Sequence, residues 1–154
     1  MTMPELFFKS ADASDVETLL LMIREFYAHE ELRFDEAAAR SALEEILGNA
    51  AFGRVFLIYA GRVVAGYTVL TFGYSLEFHG RDAFVDELFL HENFRGQGIG
   101  QRTLEFLAEV CRENGIAALH LEVERQNAAA QATYRKFGFA DHDRYLMTKW
   151  LNAE

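Results

Sequence analysis

Hydrophobic positions near the start of the chain fall at helical period: Val16, Leu19, Leu20, Ile23, Phe26 and Tyr27 recur at i, i+3, i+4, i+7, i+10 and i+11, one stripe along a helix. Ser14 and Glu17 stand before it as a capping box, and the helix should end near His29. A second stripe, Ala39, Leu43, Ile46 and Leu47, follows Asp35 as a candidate N-cap and stops at Gly48-Asn49. The pattern then changes period. Arg54 to Ala60 and Val63 to Phe72, rich in β-branched and aromatic residues around the turn Gly61-Arg62, predict a β-hairpin, and Phe84 to Leu90 predicts a third long strand. Helical spacing returns in Leu104, Leu107, Val110 and Cys111 and ends at Asn114-Gly115. Leu119, Leu121 and Val123 then alternate with His120, Glu122 and Glu124, a strand over 118–124. A short strand at 5–9, a helix capped by Asn127 and ended by Gly138, and a last strand from Arg144 to Trp150 complete the reading.

The order β-α-α-β-β-β-α-β-α-β is a mixed α/β fold. The helix from Ile99 to Arg112 joins two strands by a crossover, which favours parallel pairing there and a binding crevice at the strand ends. With 154 residues, one proline and no repeat, residues 1–154 are expected to form a single domain. Lys and Arg total 15 against 24 Asp and Glu, a formal net charge of -9. That balance repels nucleic-acid phosphates and suits a cationic or amine-bearing partner. Cys111 is the sole cysteine and lies on an apolar stripe, so neither an internal disulfide nor a cysteine zinc site is expected. His29, His79, His91, His120 and His142 lack the spacing of a metal motif, read as surface or strand residues, and no metal is expected. No apolar run approaches the ~18 residues of a membrane span, and Met1 to Lys9 lacks the basic start and apolar run of a signal peptide. A cytoplasmic protein with no membrane partner is the expectation.

The run Arg95-Gly96-Gln97-Gly98-Ile99-Gly100 lies between the third long strand and the helix after it. Glycines let a backbone curl until several N–H groups share one concavity, and a helix N-terminus adds open donors, so the run is either an anion cradle or a plain strand-to-helix turn. The spacing G-x-G-x-G falls one residue short of the dinucleotide fingerprint, and Gln101-Arg102 after Gly100 excludes a Walker loop. A pyrophosphate outside those two classes is what the residues ask for.

Three pieces then stand together: Asp86-Glu87-Leu88-Phe89-Leu90, the loop Arg95 to Gly100, and Asn127-x-x-Ala130-x-x-x-Tyr134-x-x-x-Gly138-Phe139. They resemble the GCN5-related N-acetyltransferase (GNAT) family, whose central signature is met by Arg95, Gly98 and Gly100. The likeness covers residues 84 to 139, extends to the N-terminal helices only in order and length, and is nearest to the small-amine branch that includes diamine acetyltransferases. It implies a single central, mostly antiparallel twisted sheet with a splayed parallel strand pair and helices on both faces. It also implies acetyl-CoA as cosubstrate. Arg95 and the amides of Gly96, Gln97, Gly98, Ile99, Gly100 and Gln101 would hold the pyrophosphate, and the backbone of Leu88, Phe89 and Leu90, with Asn127 and Ala130, would meet the pantetheine.

An alkylamine is protonated at neutral pH and must lose a proton before it attacks, so the resemblance needs a base, directly or through water. Glu87 and Asp86 are the candidates. On a regular strand they face opposite ways, so only one would face the cleft unless a bulge intervenes, and Glu87 is preferred. The backbone N–H near Leu88 would polarise the acetyl carbonyl. Tyr134 matches the family tyrosine that protonates the leaving sulfur. Tyr27, Glu30 and Glu31 are placed at one acceptor wall, while Phe72, Tyr74 and Phe78 form either a second wall or core, with His79 in the loop beside them. The function so implied is transfer of acetyl to a primary amine of a small molecule by direct attack in a ternary complex. Alternatives are a protein N-terminal or lysine acetyltransferase and a non-catalytic acyl-CoA sensor, and the resemblance also implies a homodimer.

Overall fold

The computed structural model describes residues 5–152. Its described residues up to Leu121 form one compact unit, and those from Glu122 onward form a second. In the first, the strands β1 (Leu6–Ser10), β2 (Gly53–Ala60), β3 (Val63–Ser75), β4 (Gly80–Leu90) and β5 (Ala118–His120) make one sheet in that order. The first four pair antiparallel, and β5 pairs parallel to β4. The helices α1 (Val16–His29), α2 (Glu36–Gly48) and α3 (Ile99–Glu113) belong to the same unit, and α4 (Ala128–Lys136) belongs to the second.

The alternation of β2 to β4 decides which helix covers which face. Val55, Leu57, Tyr67, Val69 and Phe89 pack against Leu19, Leu20 and Ile23 of α1 and Leu43 of α2. Phe56, Leu70 and Ala83 point the other way, onto Leu107 and Cys111 of α3, and Ile58, Ala60 and Ala65 meet Ile99 there. Leu19, Ile58 and Leu107 are wholly buried, each worth roughly 1.5–3 kcal/mol on transfer from water. Gly66 lets β3 and β4 close up, since a Cβ there would sit 1.9 Å from the Phe89 carbonyl oxygen.

Three expectations change. The box before α1 is formed by Asp12 and Asp15 rather than Ser14 and Glu17: Asp12 accepts from the Ser14 amide and the Asp15 carboxylate accepts from the Asp12 amide. Lys9 holds that same carboxylate at 2.7 Å, while Glu17 is drawn off by Arg40 at 2.6 Å. The strand expected over 118–124 is paired only at Ala118–His120. Finally, Arg144 to Trp150 adopts no regular structure, with Tyr145 80% and Trp150 86% exposed. An alternating pattern becomes a strand only with a ladder partner, and this segment has none among the described residues.

Candidate active site

Strand β4 carries an extra residue. Val69 of β3 lies opposite Glu87 and Leu70 opposite Val85, so Asp86 bulges out of the ladder. The bulge redirects the side chains beyond it. Val85 packs into the α3 cluster and Leu88 beside Ile99 of α3, whereas Glu87 meets α1 and Phe89 packs with it. With Val85 and Leu88 both on the α3 face, Asp86 and Glu87 between them both turn to the α1 face. The bulge thus replaces the opposite-facing arrangement of a regular strand.

Their surroundings differ. The Tyr67 hydroxyl donates to Glu87 Oε1 at 2.6 Å and the Tyr27 hydroxyl to Oε2 at 2.5 Å, distances at the short end for a phenol on a carboxylate. Burial pushes the Glu87 carboxyl above its ordinary range; the two phenols pull it back, and the neighbouring Asp86 charge adds to the upward push. Burial and then Glu87 drive the Tyr27 and Tyr67 phenols far up, so both stay protonated donors. Asp86 reaches solvent from a crowded stretch of β4, and partial desolvation holds its carboxyl above the usual range. No described residue hydrogen-bonds it.

The parallel pairing stops at Phe84 and His120, so within the first unit β4 from Val85 to Leu90 has no strand partner on that edge. His120 sits at this last register and is largely buried. Its Nε2 lies 3.0 Å from Asp82 Oδ2, and the rings of Phe78 and Phe84 stand 4.5 and 4.9 Å away. Neither Asp82 nor this role for His120 was expected. The available signal was their placement on one face of adjacent strands, which only the register reveals.

Past β4 the chain makes a 3-10 turn over Glu92–Phe94 and enters the glycine run. Gly96 and Gly98 hold φ of 74° and 82°, the left-handed region that favours glycine, and Gly98 is the N-cap of α3 with no side chain to fill it. The first internal bond of the helix runs from the Arg102 amide to the Gly98 carbonyl at 3.2 Å, so the amides of Ile99, Gly100 and Gln101 are its open donors. No acidic residue lies in the first turn, and a Cβ at Gly96 or Gly100 would meet nothing within 4 Å. This shape and charge fit a pyrophosphate. Arg95 is fixed beside it, its Nε on the Leu90 carbonyl at 2.8 Å and its guanidinium 5.7 Å from the Phe89 ring.

The remaining expected residues divide. Tyr27 turns inward, whereas Glu30 and Glu31 are exposed, Glu30 beside His29 at 3.6 Å. The three aromatics do not form one wall: Phe72 packs with the α3 cluster between Arg54 and Arg81, Tyr74 is exposed and Phe78 lies on His120. In the second unit, Asn127 caps α4 by accepting the Ala130 amide at 3.1 Å. Tyr134 is half-buried beside Phe139, and burial pushes its phenol up. Among the described residues no helix is long and apolar enough to cross a membrane, and no group of His, Cys, Asp and Glu is arranged to hold a metal.

Comparison with known proteins shows the family and the fold. The family model described as acetyltransferase (GNAT) family matches residues 19–139. Thialysine N-epsilon-acetyltransferase of Bos taurus is 28% identical over 142 residues, covering 86% of this chain and 83% of that protein. An integron cassette protein from the Cole Harbour salt-marsh metagenome superposes with a TM-score of 0.83 at 32% identity, covering 96% of this chain and 91% of that one. A predicted acetyltransferase from Clostridium acetobutylicum, solved with acetyl-CoA, shares the fold with a TM-score of 0.78 at 17% identity, over 94% of this chain and 96% of that one.

Proposed function

Because the chain belongs to the acetyltransferase (GNAT) family and is an acetyl-CoA-dependent N-acetyltransferase, we propose that its acceptor is the primary amine of a small molecule, attacked directly in a ternary complex. The observation that carries this reading is the bulged pair Asp86 and Glu87, two carboxylates on one face of β4, three residues of strand and a short turn away from the glycine cradle. An acidic site of this kind attracts a cationic amine and supplies the base it needs. The similarity to thialysine N-epsilon-acetyltransferase, a protein named for a small amine, points the same way. The family model runs across both compact units, which supports treating them as one acetyltransferase domain.

Acetyl-CoA supplies an acetyl group activated as a thioester. The open amides of Ile99, Gly100 and Gln101, with Arg95, would hold its diphosphate, and the backbone of Leu88 to Leu90 along the unpaired edge of β4 would take the pantetheine. The acceptor ammonium gives one proton to a carboxylate of the Asp86 and Glu87 pair. The freed lone pair forms the N–C bond as the C–S bond breaks, sulfur leaves with the bonding electrons and takes a proton, and the second nitrogen proton passes to water. Tyr134, its phenol kept protonated by burial, is the proposed donor to sulfur. Net, one ammonium and one thioester become one amide, one thiol and one proton.

Thiol release from acetyl-CoA should appear with diamines and amino acids bearing a side-chain amine, and be absent with N-terminal peptides. Turnover confined to peptides would move the acceptor to proteins, and acetyl-CoA binding without turnover on any amine would leave a sensor. The homodimer belongs to the same proposal and is read by light scattering.

A further inference from the structure

The extra residue in β4 also changes which way the backbone groups of the strand point. Before it, the Arg81 carbonyl takes the Ala117 amide at 2.9 Å, so the odd-numbered residues there offer their backbone to β5. Past it the phase is reversed. The His91 amide donates to the Ala65 carbonyl of β3 at 2.8 Å, the Phe89 carbonyl faces Gly66 of β3, and the Leu90 carbonyl, on the other edge, takes Arg95 Nε at 2.8 Å. Glu87 follows the same rule: its carbonyl turns to β3, where the Thr68 hydroxyl donates to it at 2.9 Å. Thr68 is wholly buried, in register with Phe56 of β2 and Leu88 of β4, so its hydroxyl depends on this acceptor.

We infer that Thr68 is a positioning residue for acetyl transfer: its hydroxyl fixes the Glu87–Leu88 peptide so that the Leu88 N–H stands out from the open edge of β4, toward the acetyl carbonyl. This rests on the acetyl-transfer reading above. A trans peptide is planar with its carbonyl and its N–H on opposite sides, and no described peptide is cis, so a carbonyl tied to β3 aims the Leu88 N–H away from β3. On that edge the parallel pairing has already stopped at Phe84. A donor to an oxyanion works by being aimed before the charge develops, and a bulge disrupts the ladder that would otherwise hold this peptide. The Thr68 hydroxyl supplies the missing hold. It also polarises the peptide it binds, which makes the Leu88 N–H a stronger donor.

Two variants separate aim from packing. Thr68→Val keeps the shape and loses the hydroxyl; Thr68→Ser keeps the hydroxyl and loses a buried methyl. With acetyl-CoA carrying 13C at the acetyl carbonyl, bound without an acceptor, the carbonyl resonance should lie downfield of free acetyl-CoA in the parent and in T68S, and return most of the way to the free position in T68V. At saturating acetyl-CoA and amine, kcat should fall at least about tenfold in T68V, part of the roughly 10²–10³-fold that losing a whole oxyanion donor costs. The amine KM should not change, nor the affinity for CoA, which has no acetyl carbonyl. T68S should keep the kcat of the parent even as its Tm falls. Should the valine pack poorly, Thr68→Ala set against Thr68→Ser isolates the hydroxyl in the same way. Parental resonance and kcat in T68V, a T68S as slow as T68V, or a parent whose bound carbonyl resonates where free acetyl-CoA does, overturns the assignment. Failure of the parent to acetylate any amine, with its bound carbonyl shifted as expected, overturns the acetyl-transfer reading instead and leaves the hold on the Leu88 N–H standing.

Discussion

Replacing Gly98 by alanine separates the glycine cradle from a plain turn. Gly98 is the N-cap of α3 with φ 82° and ψ 5°, a left-handed conformation that brings Cβ against the following carbonyl and costs an alanine about 1–2 kcal/mol. That strain must surface somewhere. If the loop keeps its shape, the folded state loses about 1–2 kcal/mol, a fall in Tm of roughly 2–8 °C for a chain this size. If the loop relaxes to negative φ, the free protein is spared, but the amides of Ile99 to Gln101 leave their common direction and binding must restore it, so acetyl-CoA affinity falls roughly 5–30-fold. Gly100 is the control. It lies inside α3 without a left-handed φ, and a Cβ there meets nothing within 4 Å. Gly100→Ala should hold or raise Tm, since alanine is favoured over glycine in a helix by about 0.8–1.0 kcal/mol. Thermal unfolding with calorimetric titration of acetyl-CoA on both variants decides the matter. A Gly98→Ala protein with unchanged Tm and unchanged affinity, or one indistinguishable from Gly100→Ala, would refute the reasoning.

The raised carboxyl of Asp86 gives a prediction with a definite sign: a group whose folded pKa exceeds its unfolded one favours folding at low pH and loses that contribution as pH rises through the folded value. Asp86→Asn should therefore unfold at higher temperature than the parent at pH 7, and the difference should close as pH falls below the ordinary aspartate range; an equal or lower Tm at pH 7 would contradict it. Leu107→Ala, at a wholly buried position beneath the sheet, should cost about 2–5 kcal/mol in chemical denaturation, and a loss below about 1 kcal/mol would mean α3 packs more loosely than described. Tyr134→Phe should lower turnover by roughly 10²-fold or more while leaving acetyl-CoA affinity nearly intact, and normal turnover would remove it as the sulfur's proton donor.

Much of this protein is local in origin and was legible in the chain. The stripes of α1, α2 and α3 declare themselves at helical period because each helix buries one side, and Asn127 and Asp35 each act through an amide three residues away. The glycine run is likewise local: positive φ at Gly96 and Gly98 favours glycine wherever the loop sits, so the shape of the turn could be read without the fold. The carboxylates were visible as residues, and their family likeness named the donor.

What the chain could not state is anything that depends on register between distant segments. Whether Asp86 and Glu87 share a face turns on one extra residue in β4 relative to β3, and no pattern within β4 announces it. Tyr67 reads as an ordinary strand aromatic and Tyr27 as one more position on an apolar stripe; only packing brings their hydroxyls to the two oxygens of Glu87, from 20 and 60 residues away. The same holds for Asp82 and His120, 38 residues apart and joined by a parallel register three pairs long. Sequence determined which chemistry is present, because donors and acceptors of backbone turns are set nearby. Tertiary structure decided which carboxylate is held and which is left open, because that follows from side chains meeting across strands.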